Sequence, residues 1–247
     1  LVTFINFFKN HALFNFKNRP QWKFILGGSN QYIKKLIKLN TFRYFTNFKI
    51  IKIIRDNDKI QIVDKDNKYR SFSKVIFATH GDQVLSLLDN PTNKEIDVFN
   101  KFKYSHNTAY LHTDSSLMPG SKVAWSSWNF LNKSIGKKFT LTYWMNLLQN
   151  LPTNKNYFVT VNPFKEPKNI INQTTFEHPI YSVDTLNAQK EVMQIQGLNN
   201  TYFCGSYLGY GFHEDGIQSA VHISRLLGCD LPWTRDKNFY NRISINN

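Results

Sequence analysis

Apolar and polar positions in the first third of the chain alternate as they do in β-strands. Three such runs, at 48–54, 59–64 and 69–79, are separated by turns rich in Asp and Asn at 56–58 and 64–67. This pattern predicts a small antiparallel meander. The third run ends in Val75, Ile76, Phe77 and Ala78, and a continuous apolar run of this kind is typical of a strand buried in a parallel sheet.

The pattern changes after residue 91. Thr92 followed by Glu95 forms a capping box and predicts a helix over 92–102. Alternating runs at 107–113, 123–130, 139–145 and 157–162 predict an antiparallel sheet, and its many aromatic residues suggest that it covers a ligand cavity. Trp128 and Asn129 are the candidate cavity walls, although any single aromatic here could equally be core.

Helical spacing is found in three further places. Residues 2–14 are rich in aromatics and are predicted to be helical. Residues 31–37 form a short amphipathic helix that Ser29 or Asn30 can cap, and a longer helix is predicted over 184–195.

The stretch from Thr201 to Gly228 is the most informative part of the chain. A short apolar strand reaches Gly205, a glycine-rich loop follows, and a helix with apolar residues at 217, 220, 221, 223, 226 and 227 comes next. We predict that Asp215 is the N-cap of this helix. Gly216 has no side chain, so an electron-rich ligand group could approach the positive end of the helix. An ordinary strand–loop–helix turn explains the spacing equally well.

Composition narrows the class of protein. The 247 residues are 41% hydrophobic and 15% aromatic, which is enough for a core in one large domain or two modest ones and excludes wholesale disorder. Cys204 and Cys229 lie in apolar neighbourhoods without metal-ligand spacing, and we expect two buried thiols in a reducing compartment. The sequence contains no run of about 18 apolar residues, so no membrane-spanning helix is predicted.

The formal net charge is +14. Lysines occur in scattered pairs such as Lys34-Lys35 and Lys137-Lys138, without a basic tract, and the abundance of Lys, Asn, Ile and Phe suggests an AT-rich coding bias. We therefore expect no nucleic-acid partner. A weak attraction to anionic membrane surfaces is the more plausible consequence of this charge.

The C-terminal stretch resembles the FAD-binding segment of the flavin-dependent amine-oxidoreductase superfamily. Within that superfamily the chain most resembles bacterial NAD/FAD-binding, amine-oxidase-like proteins found beside enzymes of the cyclopropane-fatty-acid-synthase type. The resemblance covers about residues 1–233, and the other segments that carry it are 19–22, 27–29, 75–83, 111–114, 124–129, 142–146 and 177–179.

The resemblance implies an α/β (α+β) fold in which a discontinuous Rossmann-like FAD-binding domain accompanies an antiparallel substrate domain. The implied segments are a substrate-domain helical segment at 1–22, FAD-domain parts at 23–90 and 176–233, the substrate domain at 91–175, and a tail at 234–247. Such proteins begin with a Gly-x-Gly-x-x-Gly turn that this sequence lacks. We therefore expect a C-terminal portion whose N-terminal βαβ unit is missing.

The resemblance also implies site residues. The cofactor-binding candidates are Gly27, Gly28, Ile50, Ala78, Thr79, Gly205, Ser206, Asp215, Gly216 and Ile217. The catalytic candidates are His178, Tyr207 and His213, and Tyr210 joins Trp128 and Asn129 at the substrate cavity. No metal site is expected.

The implied activity is hydride transfer from an apolar or lipid substrate to FAD, with fatty acyl desaturation as the leading reaction. Amine oxidation is the first alternative, and a non-catalytic lipid- or partner-binding module without FAD is the second. The implied location is the cytoplasm, with peripheral contact at the inner membrane. The sequence leaves the oligomeric state open.

Overall fold

The computed structural model describes residues 5, 7–9, 12–17, 23–56, 59–131, 140–229 and 243. The chain divides into two compact units. The split unit consists of Leu1–Lys103 together with Pro179–Asn247, and the inserted unit is Tyr104–His178. Arg19–Trp22 and His11 lie outside the described residues.

The described chain contains both strands and helices, and short 3-10 turns connect several of them. In chain order the elements are α1 (Asn30–Lys38), β1 (Ile50–Asp56), β2 (Lys59–Asp64), β3 (Tyr69–Phe72), β4 (Val75–Phe77), α2 (Val84–Leu87), α3 (Asn93–Phe99), β5 (Lys103–His112), β6 (Trp128–Leu131), β7 (Thr140–Trp144), α4 (Met145–Leu148), β8 (Phe158–Val161), β9 (Ile170–Ile180), α5 (Val183–Gln194), β10 (Thr201–Phe203) and α6 (His213–Leu226).

Strands β1, β2 and β3 of the split unit form an antiparallel sheet in that order, which confirms the predicted meander. The turn between β2 and β3 is closed by the Asp64 carboxylate, which accepts from the amides of Asp66 and Lys68 at 2.9 and 3.0 Å. Asn67 takes the left-handed conformation there, with φ +58°, which Asn tolerates better than most residues. The third predicted run is divided, because β3 ends at Phe72 and β4 begins at Val75.

Strands β4 and β10 pair in parallel, with Val75 opposite Thr201 and Phe77 opposite Phe203. The Phe77 and Phe203 rings stack at 5.5 Å, and Phe99 of α3 lies 4.7 Å from Phe203. These side chains are almost fully buried. Burial of such aromatic surface is the main stabilisation of this part of the split unit.

A buried ion pair lies beside this core. The Arg55 guanidinium binds both carboxylate oxygens of Glu95 at 2.6 and 2.9 Å, and the two side chains are 7% and 4% exposed. Glu95 also accepts from the amide and hydroxyl of Thr92, which confirms the predicted capping box. Burial alone would raise the pKa of Glu95, but the hydrogen bonds from Arg55 and Thr92 lower it below its ordinary value.

The inserted unit contains a five-stranded sheet in the order β6-β7-β8-β5-β9. A buried row of polar side chains, which we call the polar row, crosses four of its strands. His112 Nε2 lies 2.7 Å from Thr160 Oγ1, which lies 2.9 Å from Thr142 Oγ1. Asn129 completes the row by donating to the carbonyl oxygen of Thr142 at 3.3 Å.

The proton on His112 is assigned by its surroundings. Its Nδ1 accepts from the amide of Asp114 at 3.1 Å, so in the neutral ring Nε2 carries the proton and donates to Thr160. Burial lowers the pKa of His112, against a smaller opposing effect of Asp114. The polar row is therefore neutral.

Aromatic packing surrounds one end of the polar row. Trp125 makes edge contacts with Trp144 at 5.2 Å and with Phe158 at 5.7 Å. The predicted run at 123–130 is strand only from Trp128 onward, because residues 122–124 form a 3-10 turn. Strand β9 begins at Ile170, well before the re-entry point that the sequence suggested at 176, and its first residues are exposed.

The predicted helices at 31–37 and 184–195 are confirmed, and they correspond to α1 and α5. Residues 5 and 7–9 are helical, and the remainder of the 2–14 prediction cannot be compared over its full length. The prediction for the cysteines is half right, since Cys204 is buried and Cys229 is exposed. Among the described helices, none has the length and apolarity needed to cross a membrane.

Candidate functional site

The carboxyl ends of β4 and β10 meet the first turn of α6. The parallel ladder continues one step past β10, where the amide of Cys204 donates to Phe77 O at 2.8 Å. Beyond that point a β-carbon on Gly205 would lie 3.4 Å from Thr79 O, and one on Gly216 would lie 3.8 Å from the Ser206 amide nitrogen. Four of the predicted cofactor-binding residues are therefore neighbours at the edge where open parallel sheets bind ligands.

Gly205 is required by its surroundings. Its φ is +155° and its ψ is 163°, a combination that is open almost only to glycine. A β-carbon there would also lie 2.6 Å from Cε1 of Tyr207. The Tyr207 ring therefore packs against the Gly205 backbone on that side, and a side chain at this position would displace it.

Helix α6 begins three residues before the predicted start. Its first residue is His213 and its N-cap is Phe212, so the prediction of Asp215 as N-cap is wrong. Asp215 occupies the third position of the helix, and its Oδ2 accepts from the amides of Phe212 and Tyr210 at 2.8 and 3.0 Å. By binding these two amides, the carboxylate holds the loop against the first turn and stabilises the earlier start of the helix.

Gly216 is consequently inside the first turn. Its amide donates to Phe212 O at 3.2 Å, so that N–H serves the helix. The missing side chain still leaves space beside Ser206, and the positive end of the helix dipole still lies in this turn. The turn therefore keeps the electrostatic character that the sequence predicted.

The loop is held by buried polar side chains that the sequence analysis did not single out. Gln189 of α5 donates to the carbonyl oxygens of Tyr207 and Gly209 at 2.9 and 2.8 Å. Ser219 of α6 accepts from the Gly205 amide at 2.9 Å. These contacts hold the loop from two helices. The signal in the sequence that could have revealed them is a Gln and a Ser at helical positions that face the core.

The buried face of α6 differs from the predicted apolar face. Its buried residues are Asp215, Gln218, Ser219 and Ile223, whereas Ile217 and Leu226 are 53% and 51% exposed. The polar members can turn inward because each has hydrogen-bond partners there. The periodicity alone could not reveal those partners.

The aromatic candidates of the loop separate into two environments. Tyr207 is buried, and its ring packs edge-on against Phe102 at 4.9 Å. Tyr210 and Phe212 instead contact Phe7, with ring centroids 5.9 and 5.8 Å away. Tyr207 and Tyr210 therefore do not stand side by side as a pair of rings.

The remaining candidates of the split unit differ in position. Gly27 and Gly28 form a turn before α1 with φ +78° and +83°, and the residue that a β-carbon on Gly27 would meet is Gln31. Ile50 opens β1 opposite Asp64. None of the described contacts connects these three residues to Gly205. Ala78 and His213 are exposed and adjoin the site, because Ala78 precedes Thr79 and His213 is the first residue of α6.

The candidates of the inserted unit have different surroundings. His178 is exposed, and its Nδ1 lies 3.0 Å from the Asn107 amide nitrogen. Trp128 is 56% exposed whereas Asn129 is 4% exposed, because neighbouring residues of a strand point to opposite faces. The Asn129 amide bonds to Ser126 and Thr142, so it holds the turn before β6.

Two ionisable groups lie near the carboxyl end of β10 and along α6. Burial raises the pKa of the Cys204 thiol, which keeps it protonated and unreactive at neutral pH. Burial and the nearby Arg225 lower the pKa of His222. Within the described ranges no group of three or more His, Cys, Asp or Glu side chains is arranged to hold a metal ion.

Solved structures of several enzymes are similar to this chain. A CLA-producing fatty acid isomerase from P. acnes matches with a TM-score of 0.59 at 14% identity over 81% of this chain and 52% of its own. Putrescine oxidase bound to putrescine matches with a TM-score of 0.58 at 9% identity, over 82% and 53%. Cyclohexylamine oxidase from Brevibacterium oxydans IH-35A matches with a TM-score of 0.59 at 10% identity, over 92% and 60%.

These likenesses show that the chain shares the fold of those enzymes. The chain spans between about half and three-fifths of their length. No protein-family model matches the sequence, and no curated protein matches it.

Proposed function

We propose that this chain supplies one part of the FAD site of an oxidoreductase that removes a hydride from an apolar, fatty acyl substrate. The observation that carries the proposal is the convergence of Thr79, Gly205, Ser206 and Gly216 at the carboxyl ends of two parallel strands. The fold shared with two amine oxidases and a fatty acid isomerase supports it.

The residues present fit such a cofactor. Gly205 lets the Tyr207 ring and Thr79 O pack directly against its backbone at this edge of the sheet. Gly216 and Ser206 offer small surfaces beside the positive end of α6, which favours electron-rich groups. These residues form only part of such a site, because the sequence has no Gly-x-Gly-x-x-Gly turn to bind the cofactor phosphates.

Each residue has a defined task in this proposal. Bound FAD would accept the hydride, and the first turn of α6 would stabilise negative charge on the reduced cofactor. Asp215 and Gln189 hold the loop in shape through its amides and carbonyls. Thr79 and Gly205 border the cofactor as backbone surfaces.

Two observations favour a lipid substrate over an amine. Tyr207 is buried against Phe102, so it does not pair with Tyr210 to form an aromatic cage for an amine. One of the similar structures is a fatty acid isomerase, which supports a fatty acyl substrate class here. Anaerobic mixing of the flavin-loaded protein with fatty acyl compounds or with amines would separate the two, because only a true substrate bleaches the oxidised flavin absorbance.

Substitution of Gly216 by Asp tests the cofactor contact. A carboxylate in the first turn of α6 would face the electron-rich edge of the cofactor, and we expect the protein from its native source to lose its flavin. The measurement is the flavin absorbance spectrum per protein, together with a titration of the 247-residue chain with FAD. Gly216→Ala shows whether size alone matters, since a β-carbon there finds its nearest neighbour at 3.8 Å.

Gly120→Asp is the matched control, because a β-carbon at Gly120 meets nothing within 4 Å and the residue lies in the inserted unit. Flavin retained by Gly216→Asp would refute the contact. A complete absence of flavin from the unaltered protein and the unaltered chain would refute the oxidoreductase and leave a non-catalytic binding module.

A further inference from the structure

Positive charge is concentrated at one end of this chain. The first 55 residues contain 11 of the 31 Lys and Arg residues and none of the 17 Asp and Glu residues. The described residues 23–55 form what we call the basic segment. Six of its cations are exposed, and no ion pair with another described residue is found for them: Lys23, Lys34, Lys35, Lys38, Arg43 and Lys49.

Helix α1 gives this segment two distinct faces. Tyr32, Ile33 and Leu36 lie on one side at helical spacing, and they are 38%, 42% and 47% exposed. Lys34, Lys35 and Lys38 project from the other side. No residue of α1 is buried, so its apolar face does not pack into the core of the split unit.

Further apolar side chains are exposed on both sides of α1. The large hydrophobic residues outside α1 in the basic segment with about half or more of their surface exposed are Phe24, Leu26, Leu39, Phe42, Tyr44 and Phe45. Isolated exposed apolar residues are ordinary, but their concentration in one basic segment is typical of an interaction surface. Aromatic residues with neighbouring cations are typical of the water–lipid boundary.

We infer that the basic segment attaches this protein to an anionic lipid surface. The apolar face of α1 would enter the boundary between headgroups and acyl chains, and the surrounding Lys and Arg side chains would face the lipid phosphates. This inference is independent of the proposed cofactor site. It rests on the charge and exposure of residues 23–55 alone.

Charge and apolar exposure together select this partner over others. Nucleic acid would use the cations but would leave Ile33 and Leu36 in water. A second copy of the chain would bring two sets of unpaired cations together, and like charges across an interface are costly. An anionic bilayer satisfies both faces of α1.

The test is sedimentation of the 247-residue chain with lipid vesicles. Vesicles of phosphatidylcholine mixed with phosphatidylglycerol should carry the protein down, and vesicles of phosphatidylcholine alone should carry little. Lys34→Glu/Lys35→Glu should lower the partition coefficient on anionic vesicles by about tenfold or more, because each basic residue near such a surface contributes substantially. A higher salt concentration should also lower the partition coefficient, because it screens the charges.

A second variant tests the apolar face. Ile33→Ser/Leu36→Ser should also lower the partition coefficient by about tenfold, through lost burial in the bilayer. The fold should be retained, because no residue of α1 is buried, and circular dichroism checks this. The matched controls are Ile170→Ser/Ile171→Ser and Lys94→Glu/Lys168→Glu, which alter exposed positions outside the basic segment.

Three results would overturn the inference. The first is equal binding to neutral and anionic vesicles, and the second is unchanged binding by Ile33→Ser/Leu36→Ser. The third is protection of the α1 amides from hydrogen exchange without lipid, together with a dimeric mass by light scattering or with additional polypeptide bound in the natively purified protein. That third result would assign the surface to a second copy or to protein packing.

Discussion

The two units bury polar side chains in different ways. In the split unit Arg55 and Glu95 form an ion pair with side chains 7% and 4% exposed. In the inserted unit the polar row runs from His112 through Thr160 and Thr142 without a formal charge. A buried charge left without its partner is far more costly than a hydroxyl left without its partner. The two units should therefore respond to mutation and to pH over different ranges.

The largest expected effect is in the split unit. Arg55→Ala leaves Glu95 buried without its counter-ion, and we expect the free energy of unfolding of this unit to fall by about 3–5 kcal/mol. The measurement is denaturant unfolding, with hydrogen exchange of peptides from each unit to show which unit is affected.

Lys52→Ala is the matched control for Arg55→Ala, because Lys52 pairs with Asp89 at 2.7 Å while its side chain is 48% exposed. An exposed pair of this kind is expected to contribute much less than a buried one, because solvent screens it. If the two substitutions cost the same, the distinction between buried and exposed pairs fails here.

A smaller effect is expected in the inserted unit. Thr160→Val keeps the shape of the side chain but leaves the His112 Nε2–H and the Thr142 hydroxyl without this partner. We expect a loss of about 1–3 kcal/mol, the cost of an unsatisfied buried polar group. Thr174→Val, on an exposed position of β9, should change stability little. A neutral result for Thr160→Val would mean that the polar row adds no stability.

The pH dependence gives the finest comparison. The pKa of His112 is lowered by burial, so below about pH 6.5 the unfolded chain takes up a proton that the native ring resists. The stability of the inserted unit should therefore start to fall as the pH drops through that value. Protonation of Nδ1 would also place an N–H against the Asp114 amide that it now accepts from.

The ion pair should respond only in more acid solution. The pKa of Glu95 is lowered in the native state, so its contribution is complete above about pH 4.5 and is lost as the pH falls through the native value. Hydrogen exchange of each unit between pH 7 and pH 5 measures the difference in a His222→Gln background, because burial and Arg225 also lower the pKa of His222 in the split unit. Equal loss in both units over that range, or no change when His112 is replaced by Gln, would contradict this assignment.

Local signals in the sequence predicted most elements of the fold. The Thr92–Glu95 capping box, the Asp-rich turns of the meander and the helical periodicity of α5 each depend on neighbours in sequence, and each was confirmed. The prediction noted only a re-entry point at 176 and missed the earlier part of β9 from Ile170, because the exposed residues there lack the alternation that marks a half-buried strand. The extent of β9 is determined by its pairing with β5 in the sheet.

The candidate site was predictable only in part. Resemblance placed Thr79, Gly205, Ser206 and Gly216 together, and the structure brings them into proximity. The start of α6 and the roles of Gln189 and Ser219 depend on side chains from distant segments that meet only after folding. The basic segment is recognisable in the sequence as a stretch without Asp or Glu, but the exposure of its apolar side chains depends on the fold.

The parallel pairing of β4 with β10 has a consequence for how the chain folds. Val75 pairs with Thr201, and the whole inserted unit lies between these two residues in the sequence, so they cannot pair until that unit has been synthesised. The inserted unit, by contrast, contains both partners of every pair among β6, β7 and β8. Contacts between distant residues form slowly, and domains tend to fold as units during synthesis. The sheet that carries the candidate cofactor site is therefore expected to be the last part of the protein to assemble on the ribosome.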